Sequence, residues 1–244
     1  MNPRKLEYLN ALGIEAFEPK ARRAPQAPAV FMAAGQMEPA ASRETTIAAQ
    51  LPIGDVSTLD WTELRARVAA CTACELHKTR TQTVFGVGNP EARWLIVGEA
   101  PGADEDRQGE PFVGRAGQLL NSMLRAIGMP REQVYIANIL KCRPPGNRDP
   151  KPEEASCCTP FLHRQIALIR PQVILAVGRI AAQHLLSTTV PIGKLRGQVH
   201  RYGPLSTPLV ITYHPAYLLR SPGEKRKAWI DLKFARSVHE GGAA

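Results

Sequence analysis

The chain has 244 residues, of which 44% are hydrophobic, and it carries a formal net charge of +9. This length suits one domain of moderate size with an appendage, and the sequence contains no apolar run long enough to predict a transmembrane span. The N-terminal residues lack the apolar core of a signal peptide. We therefore expect a cytoplasmic protein with no membrane partner, in which the cysteines are free thiols or metal ligands rather than disulfides.

The basic charge is concentrated in the part of the chain that looks folded. Residues 1–60 hold 6 Lys or Arg and 7 Asp or Glu, whereas residues 61–244 hold 25 and 15. An excess of positive charge on a folded domain favours a polyanionic partner, of which nucleic acid is the simplest. Ordinary basicity that keeps a protein soluble would produce the same totals, so charge alone does not decide between the two.

The first 60 residues differ in composition from the rest of the chain. They contain 12 Ala and 6 Pro, and their apolar residues follow no steady period. We expect a short helix over residues 3–13, followed by a largely disordered, Ala- and Pro-rich linker over residues 19–60. The folded domain is predicted to span residues 61–240.

From residue 61 onward, helical patterns alternate with short apolar runs. Four strands are predicted at residues 94–98, 134–140, 173–178 and 209–214. Helices are predicted from Trp61 into the first cysteines, at residues 116–127 and 152–169, from Arg179 onward and at residues 222–236. Continuous apolar strands suit a parallel sheet that is buried on both faces. The predicted fold class is therefore α/β, a three-layer α/β/α sandwich with a central, mainly parallel four-stranded sheet.

Four cysteines have a spacing that suits a metal site. Cys71 and Cys74 form a C-x2-C pair, and Cys142 and Cys158 follow at long intervals. Thiolates are ligands for zinc or for an iron–sulfur cluster, and ligands so far apart in sequence would tie separate elements together. Cys158 lies on the apolar stripe of its predicted helix, whereas Cys157 is turned about 100° away and is interpreted as a spare thiol. Four unrelated buried thiols remain the alternative.

Polar residues follow the ends of all four predicted strands. Glu99, Asn138, Arg179 and His214 each lie at or just beyond a strand end. Parallel strands bring their carboxyl ends to one edge of the sheet, which is where open α/β sheets bind ligands. The sequence has neither a dinucleotide-binding fingerprint nor a P-loop, so a nucleotide cofactor is not indicated.

Three segments resemble the family 4 uracil-DNA glycosylases, iron–sulfur members of the uracil-DNA glycosylase superfamily. The segments are residues 98–120, 138–154 and 214–220, and the resemblance covers about residues 60–236. It implies a monofunctional, monomeric hydrolase that flips uracil out of single- or double-stranded DNA. The enzyme would cleave the N-glycosidic bond and leave an abasic site, which initiates base excision repair.

The resemblance also implies a [4Fe–4S] cluster held by four cysteines, and the spacing of the cysteines fits the family. Its ligands would be Cys71, Cys74, Cys142 and Cys158. Because hydrolysis needs no redox step, we expect the cluster to stabilise the fold and to order the loop that carries Arg143 and Arg148.

The resemblance assigns roles in base recognition to three residues. Phe112 matches the aromatic residue that stacks on the flipped base, and Asn138 matches the amide that pairs with N3–H and O4 of uracil. His214 matches the histidine that donates a hydrogen bond to uracil O2 as negative charge develops on the departing base.

The carboxylate of the site is left open by the sequence. Related families carry an Asp at the position of Ala100, so Glu99 and Glu105 are the candidates for positioning water or offsetting positive charge on the sugar. Glu99 ranks slightly ahead because it leaves the strand end directly, and Ala100 should leave room beside the base. Lys141 is the nearest amine for a lyase reaction, which the family does not use.

Contacts to DNA are predicted from two further segments. Arg196 lies in a loop that resembles a family loop near DNA, and Arg220 could contact a phosphate. Leu218, or alternatively Leu219, could act as an apolar wedge in the duplex. Two other functions stay open: a protein that binds uracil-DNA with little turnover, and a non-catalytic iron–sulfur DNA-binding module.

Overall fold

The four apolar runs form neighbouring strands at the centre of one sheet. The computed structural model describes residues 55–241, so the predicted helix over residues 3–13 and most of the predicted linker lie outside the described residues. The strands are β1 (Val87–Gly88), β2 (Trp94–Gly98), β3 (Tyr135–Asn138), β4 (Val173–Val177), β5 (His200–Tyr202) and β6 (Thr207–Thr212). Their order across the sheet is β1-β3-β2-β4-β6-β5.

The parallel centre of the sheet was predicted, but the number of strands was wrong. Strand β2 pairs in parallel with β3 and β4, and β4 pairs in parallel with β6. The sheet has two additional edge strands, β1 and β5, which run antiparallel to β3 and β6. Strand β1 is only two residues long and β5 reads His-Arg-Tyr, so neither contains the apolar run from which the other strands were recognised.

Eight α-helices lie among the described residues. They are α1 (Trp61–Ala69), α2 (Ala103–Gln108), α3 (Arg115–Ala126), α4 (Pro152–Ile169), α5 (Arg179–Leu185), α6 (Ile192–Leu195), α7 (Pro215–Arg220) and α8 (Lys225–His239). Short 3-10 helices occupy Glu75–Lys78, Arg131–Gln133, Pro145–Asn147 and Pro222–Glu224. Within the described part of the chain, no helix is both long and apolar enough to cross a membrane.

The helices cover both faces of the sheet and confirm the three-layer architecture. Alternate side chains of each strand point to opposite faces, so the core divides into two clusters. On one face, side chains such as Leu95 and Ala137 pack with helices α1, α4, α5 and α6. On the other face, side chains such as Ile96 and Ile136 pack with α3 and α8.

The ends of the long helices follow local sequence signals. Helix α4 begins at Pro152, whose missing N–H costs nothing at a helix start, and the Glu154 carboxylate accepts a hydrogen bond from the Lys151 amide. The predicted bounds 152–169 agree with the structure. The last helix was predicted at residues 222–236, but it begins with a separate 3-10 turn and continues to His239 because no Gly or Pro interrupts it before Gly241.

Candidate active site

The carboxyl ends of the four parallel strands open onto one cavity of about 740 Å³. The structure brings most of the predicted site residues together in its wall. They are Glu99, Ala100, Glu105, Phe112, Asn138, His214 and Arg220. Two predicted DNA contacts, Arg196 and Leu218, are not part of this wall.

Phe112 forms an aromatic wall of the cavity in an unusual backbone conformation. Its φ is 55°, in the left-handed region that a bulky residue rarely adopts, and it is buried. Its ring lies 5.6 Å from the His214 ring, centroid to centroid. A Cβ atom at Gly98 would come within 2.7 Å of the Phe112 ring, so glycine at the end of β2 allows the ring to approach the strand closely.

Asn138 presents an unsatisfied amide at the end of β3. Asn138 is only 2% exposed, and its Oδ1 atom has no hydrogen-bond partner among the residues that the structure describes. Leaving a buried acceptor unpaired costs free energy, so such an atom suggests a ligand that donates to it. A Cβ atom at Gly98 would lie 2.3 Å from this oxygen, so the same glycine leaves space for the amide.

His214 follows β6 and caps the start of helix α7. Its Nδ1 atom accepts a hydrogen bond from the Ala216 amide at 3.1 Å. An accepting Nδ1 has no proton, so in the neutral ring the proton is on Nε2. Burial lowers the pKa of His214 to about 4, with a smaller contribution from the nearby Arg220 guanidinium. The imidazole is therefore neutral at physiological pH and has one N–H to donate.

Glu99 is the carboxylate with the most perturbed ionisation in this cavity. Burial and, to a smaller extent, the Asp149 carboxylate raise the pKa of Glu99 to about 7, and the Arg179 guanidinium opposes the change. Its backbone is fixed because its carbonyl accepts a hydrogen bond from the Leu140 amide at 3.0 Å. Such a group can exist in either protonation state near neutral pH.

The Glu105 carboxylate is occupied by main-chain hydrogen bonds. Its Oε1 atom accepts from the amides of Val113 at 3.0 Å and Gly114 at 3.2 Å, and Oε2 accepts from the Gly102 amide at 3.1 Å. Glu105 therefore joins the start of α2 to the segment that follows Phe112. These contacts favour Glu99 over Glu105 as the carboxylate that is free to act on water.

Arg196 makes a buried ion pair instead of facing the cavity. Its Nε and Nη2 atoms donate to the two carboxylate oxygens of Asp231 at 2.7 and 2.8 Å. The Thr212 hydroxyl donates to the same carboxylate, and the guanidinium lies 4.3 Å from the Tyr213 ring centroid. A guanidinium held in this way ties α8 to the end of β6, so the contacts of Arg196 are those of a structural residue.

The choice of Leu218 as the apolar wedge was wrong. Leu218 is 1% exposed and belongs to the core, whereas its neighbour Leu219 is 36% exposed. A side chain that packs in the core cannot enter a DNA duplex. Arg220, which was predicted to contact a phosphate, is exposed and lines the cavity.

Sequence reasoning did not single out Asp149. This residue lines the cavity, its carboxylate acts on Glu99, and it accepts a hydrogen bond from Arg179 at 2.6 Å. It lies in a proline-rich loop that no strand-end rule points to. Arg148, in the loop that the cluster was expected to order, also lines the cavity, and it donates two hydrogen bonds to Glu154.

All five cysteines border a second, small cavity. Cys74, Cys142 and Cys158 are buried, and Cys71 and Cys157 are half-buried. Cys157, which was interpreted as a spare thiol, borders this cavity together with Cys158, so α4 presents both of its cysteines to it. Burial raises the pKa of Cys158 to about 12 and that of Cys74 to about 11. Among the described residues, no three His, Cys, Asp or Glu side chains are arranged to hold a metal ion.

Lys141 lies between the two sites but does not enter the cavity at the strand ends. It is fully buried, and its Nζ atom donates to the Asn138 carbonyl at 2.8 Å and to Gln165 Oε1 at 2.6 Å. The residue also borders the cysteine cavity, where its main-chain amide donates to Cys158 Sγ at 3.4 Å. It is therefore not positioned as a nucleophile toward a bound substrate.

Comparisons with known proteins identify the family of the chain. The family model of the uracil DNA glycosylase superfamily matches residues 85–233. A type-4 uracil-DNA glycosylase of Archaeoglobus fulgidus is 47% identical over 173 residues, which are 68% of this chain and 86% of that protein. The type-4 uracil-DNA glycosylase of Thermotoga maritima is 46% identical over 70% of this chain and 90% of that protein. The type-4 uracil-DNA glycosylase of Sulfurisphaera tokodaii is 40% identical over 72% of this chain and 83% of that protein. The chain belongs to the uracil DNA glycosylase superfamily, and within it to the type-4 family.

Proposed function

We propose that this protein is a uracil-DNA glycosylase that hydrolyses the N-glycosidic bond of uracil in DNA and leaves an abasic site for base excision repair. The observation that carries the proposal is the unpaired Asn138 oxygen, which lies in the same cavity as an aromatic ring and a neutral imidazole. A flipped base needs a stacking surface and hydrogen bonds to its pairing edge, and these residues can supply both.

Asn138 is proposed to select uracil. Its Oδ1 atom can accept from uracil N3–H while its amide nitrogen donates to O4. Cytosine has an acceptor at N3 and a donor at C4, so it would place like groups against each other and leave the buried amide unpaired. Phe112 would stack on the face of the base.

His214 is proposed to stabilise the leaving group. Cleavage leaves negative charge on uracil, and the Nε2–H of a neutral imidazole can donate a hydrogen bond to O2 as this charge develops. A ring whose pKa is lowered to about 4 carries no second proton at neutral pH, so His214 acts as a hydrogen-bond donor and has no imidazolium proton to transfer to uracil. Donation from a fixed, water-poor site is worth more than the same bond in solvent.

Glu99 is proposed to act on the sugar side of the bond. An ionised Glu99 can orient a water molecule toward the anomeric carbon or offset positive charge on the sugar. A pKa raised to about 7 leaves part of the Glu99 population ionised near neutral pH and makes that carboxylate a stronger proton acceptor. Ala100, next to it, is a small residue that leaves room beside the base.

The cysteine cavity suits an iron–sulfur cluster by its donor set. A [4Fe–4S] cluster takes one thiolate for each iron, so its ligands surround it and need not converge on one ion. We propose that Cys71, Cys74, Cys142 and Cys158 hold it, with Arg80 donating to Cys142 Sγ and the Lys141 amide donating to Cys158 Sγ. When bound, the cluster would supply a cross-link between the Cys71–Cys74 segment, the end of β3 and α4.

Contacts to the rest of the DNA are proposed from the rim of the cavity. Arg220 is exposed beside the base-binding residues and suits a phosphate contact. The exposed Leu219 suits the wedge that fills the space of a flipped base. We further propose that the protein acts as a monomer in the cytoplasm, on both single- and double-stranded DNA.

A tight binder with little turnover is the second candidate, because a cavity that reads the base would serve it equally well. An alkali-cleavage assay separates the two functions. Labelled oligonucleotides with one uracil, thymine or cytosine would be incubated with wild type, His214→Ala and, as a matched control far from the cavity, His239→Ala.

We expect abasic sites at uracil only, with wild type and His239→Ala, and a loss of about 100-fold or more in His214→Ala. If folded, iron-loaded wild-type protein makes no abasic sites, the proposed glycosylase activity is ruled out. A gel shift on the same uracil oligonucleotide would then identify a tight binder.

A further inference from the structure

The segment that carries Phe112 is held from two sides by opposite charges. This segment, residues 110–114, is called the Phe112 loop. Its left-handed residue needs support, since a bulky side chain with φ of 55° is sterically unfavourable. Helix α3 supplies part of it, because a Cβ atom at Gly117 would lie only 1.7 Å from the Phe112 carbonyl oxygen. The loop therefore rests directly on the first turn of α3.

The main-chain N–H and C=O groups of the loop point to different partners. The Glu105 carboxylate takes the amides of Val113 and Gly114, as described above. On the opposite side, Arg131 Nη2 donates to the Pro111 carbonyl at 2.6 Å and Nη1 donates to the Phe112 carbonyl at 3.3 Å. The Glu105 carboxylate therefore holds the two amides that follow Phe112. The Arg131 guanidinium holds the carbonyls of Phe112 and of the residue before it.

The guanidinium of Arg131 is itself fixed. Its Nη1 atom also donates to Asn121 Oδ1, on helix α3, at 3.2 Å. Arg131 begins the 3-10 turn Arg131–Gln133 that leads into β3, and its side chain is half-buried. It does not line the cavity, so it has no direct route to a bound base.

We propose that Arg131 is a positioning residue that sets the stacking ring of Phe112. By binding two successive carbonyls and one side chain of α3, it holds the backbone of the Phe112 loop in the conformation that lays the ring against Gly98. The inference rests on the proposed function, because a stacking ring matters only if the cavity takes a base. A planar guanidinium spans several acceptors at once, and a lysine ammonium in its place is a single point charge.

A double-mutant cycle tests whether Arg131 acts through Phe112. Arg131→Met keeps an apolar stem and removes every donor, and Arg131→Lys keeps the charge. Arg125→Met, an exposed arginine on α3, is the matched control. Single-turnover excision rates with enzyme in excess would be measured for these variants, for Phe112→Ala and for Phe112→Ala/Arg131→Met.

We expect Arg131→Met to lower the single-turnover rate about 10- to 100-fold, Arg131→Lys to lose less and Arg125→Met to match wild type. In the Phe112→Ala background, Arg131→Met should change the rate less than about 3-fold, because the ring it positions is gone. Rate losses that multiply in the double variant, or an unchanged rate in Arg131→Met, would overturn the inference.

A phosphate contact makes a different prediction. If Arg131 bound DNA, its loss would weaken DNA affinity and reduce the salt dependence of binding, with the single-turnover rate at saturation preserved. That result would also overturn the positioning role. Addition of guanidinium at low millimolar concentration should partly restore Arg131→Met and leave Phe112→Ala unchanged.

Two controls distinguish failure of the positioning role from failure of the proposed function and from misfolding of the variant. Wild-type excision of uracil shows that the proposed function stands, so a failure of the inference is recognised only when wild type is active. If Arg131→Met does not fold, as judged by its circular dichroism and thermal midpoint, the cycle is run with Arg131→Lys, in which the same non-additivity is expected at smaller amplitude.

Discussion

At the scale of single residues, the cavity holds two groups whose pKa values are displaced in opposite directions. Burial disfavours the charged form of both, so it lowers the pKa of His214 to about 4 and raises that of Glu99 to about 7. His214 is therefore a neutral donor throughout the physiological range, while Glu99 titrates within it. Only Glu99 should shape the pH dependence of the reaction near neutrality.

The excision rate is expected to rise with pH through about 7. Only ionised Glu99 can orient water or offset charge on the sugar, and its pKa is raised to about 7. Single-turnover rates between about pH 5 and pH 9 would test this in wild type and Glu99→Gln. The variant should be slower and independent of pH. A rise that persists in Glu99→Gln would assign the titration to another group.

Stability provides an independent check on the same carboxyl group. Its pKa is raised from 4.5 to about 7 in the folded protein, so its contribution to stability is present below pH 4.5 and is lost as pH rises through about 7. Glu99→Gln should therefore unfold at a higher temperature than wild type at about pH 8 and at a similar temperature at about pH 4. Equal midpoints at both values would contradict the raised pKa.

At the scale of secondary-structure elements, helix α7 places one of two adjacent leucines in the core and the other on the surface. Leu218 and Leu219 are adjacent, but α7 is only six residues long, and its hydrophobic pattern does not reveal which leucine faces inward. The structure assigns Leu218 to the core and Leu219 to the surface beside Arg220. The two leucines are therefore each other's control.

Substitution of the two leucines should have opposite consequences. Leu218→Ala is expected to destabilise the protein by about 2–5 kcal/mol, because it leaves a cavity in the core. Leu219→Ala should leave stability nearly unchanged and lower excision about 10-fold in double-stranded but not in single-stranded DNA, since only a duplex needs a wedge. Excision assays on both substrates and thermal unfolding would check this. An equal loss on the two substrates would exclude a wedge at Leu219.

The elements that were predicted well are those whose local sequence determines their structure. The run Trp94–Gly98 is apolar throughout, and the parallel strand β2 has the same bounds. The edge strand β5 escaped notice because its pairing with β6 comes from tertiary context rather than from its own residues. Arg131 was missed for a similar reason, because it binds main-chain carbonyls about 20 residues earlier in the sequence, and hydrophobic patterning carries no record of such contacts.

The candidate site was predictable where it coincides with strand ends. Asn138 and His214 were found because each interrupts or ends an apolar run at the binding edge of a parallel sheet. The cavity that Cys157 and Cys158 share was not predicted. A helical wheel gives the direction of a side chain but not the width of the surface that faces it. The ion pair of Arg196 with Asp231 joins residues 35 positions apart, so no local sequence pattern predicts it.

At the scale of the whole molecule, the strand-end cavity and the cysteine cavity are joined by the short segment from Asn138 to Cys142. Lys141 lies on this segment and donates a hydrogen bond to the Asn138 carbonyl while it borders the cysteine cavity. A cluster bound at the cysteines would therefore stabilise the backbone that presents the base-reading amide. Loss of the cluster should affect both the fold and the cavity.

Substitution of the two adjacent cysteines of α4 tests the ligand set. Cys158→Ala is expected to lose iron and acid-labile sulfide and to lower the thermal midpoint by several degrees. Cys157→Ala should retain both, since four thiolates suffice without it. Iron and sulfide content, visible absorption and thermal unfolding would be measured on each variant. Retention of iron in Cys158→Ala together with its loss from Cys157→Ala would reverse the assignment.

The hydrogen bond from the Ala216 amide to His214 Nδ1 links catalysis to acid tolerance. The lone pair that caps α7 is the one a second proton would occupy, so protonation of the ring would release the start of that helix. The unfolded chain accepts this proton at a pKa near 6.5, whereas the folded protein does so only near 4. Between these values, acidification shifts the balance toward the unfolded chain while the remaining folded molecules keep their neutral imidazole. For His214 alone, acid would therefore lower the folded fraction before it removed this hydrogen-bond donor, while protonation of Glu99 near pH 7 slows the molecules that stay folded.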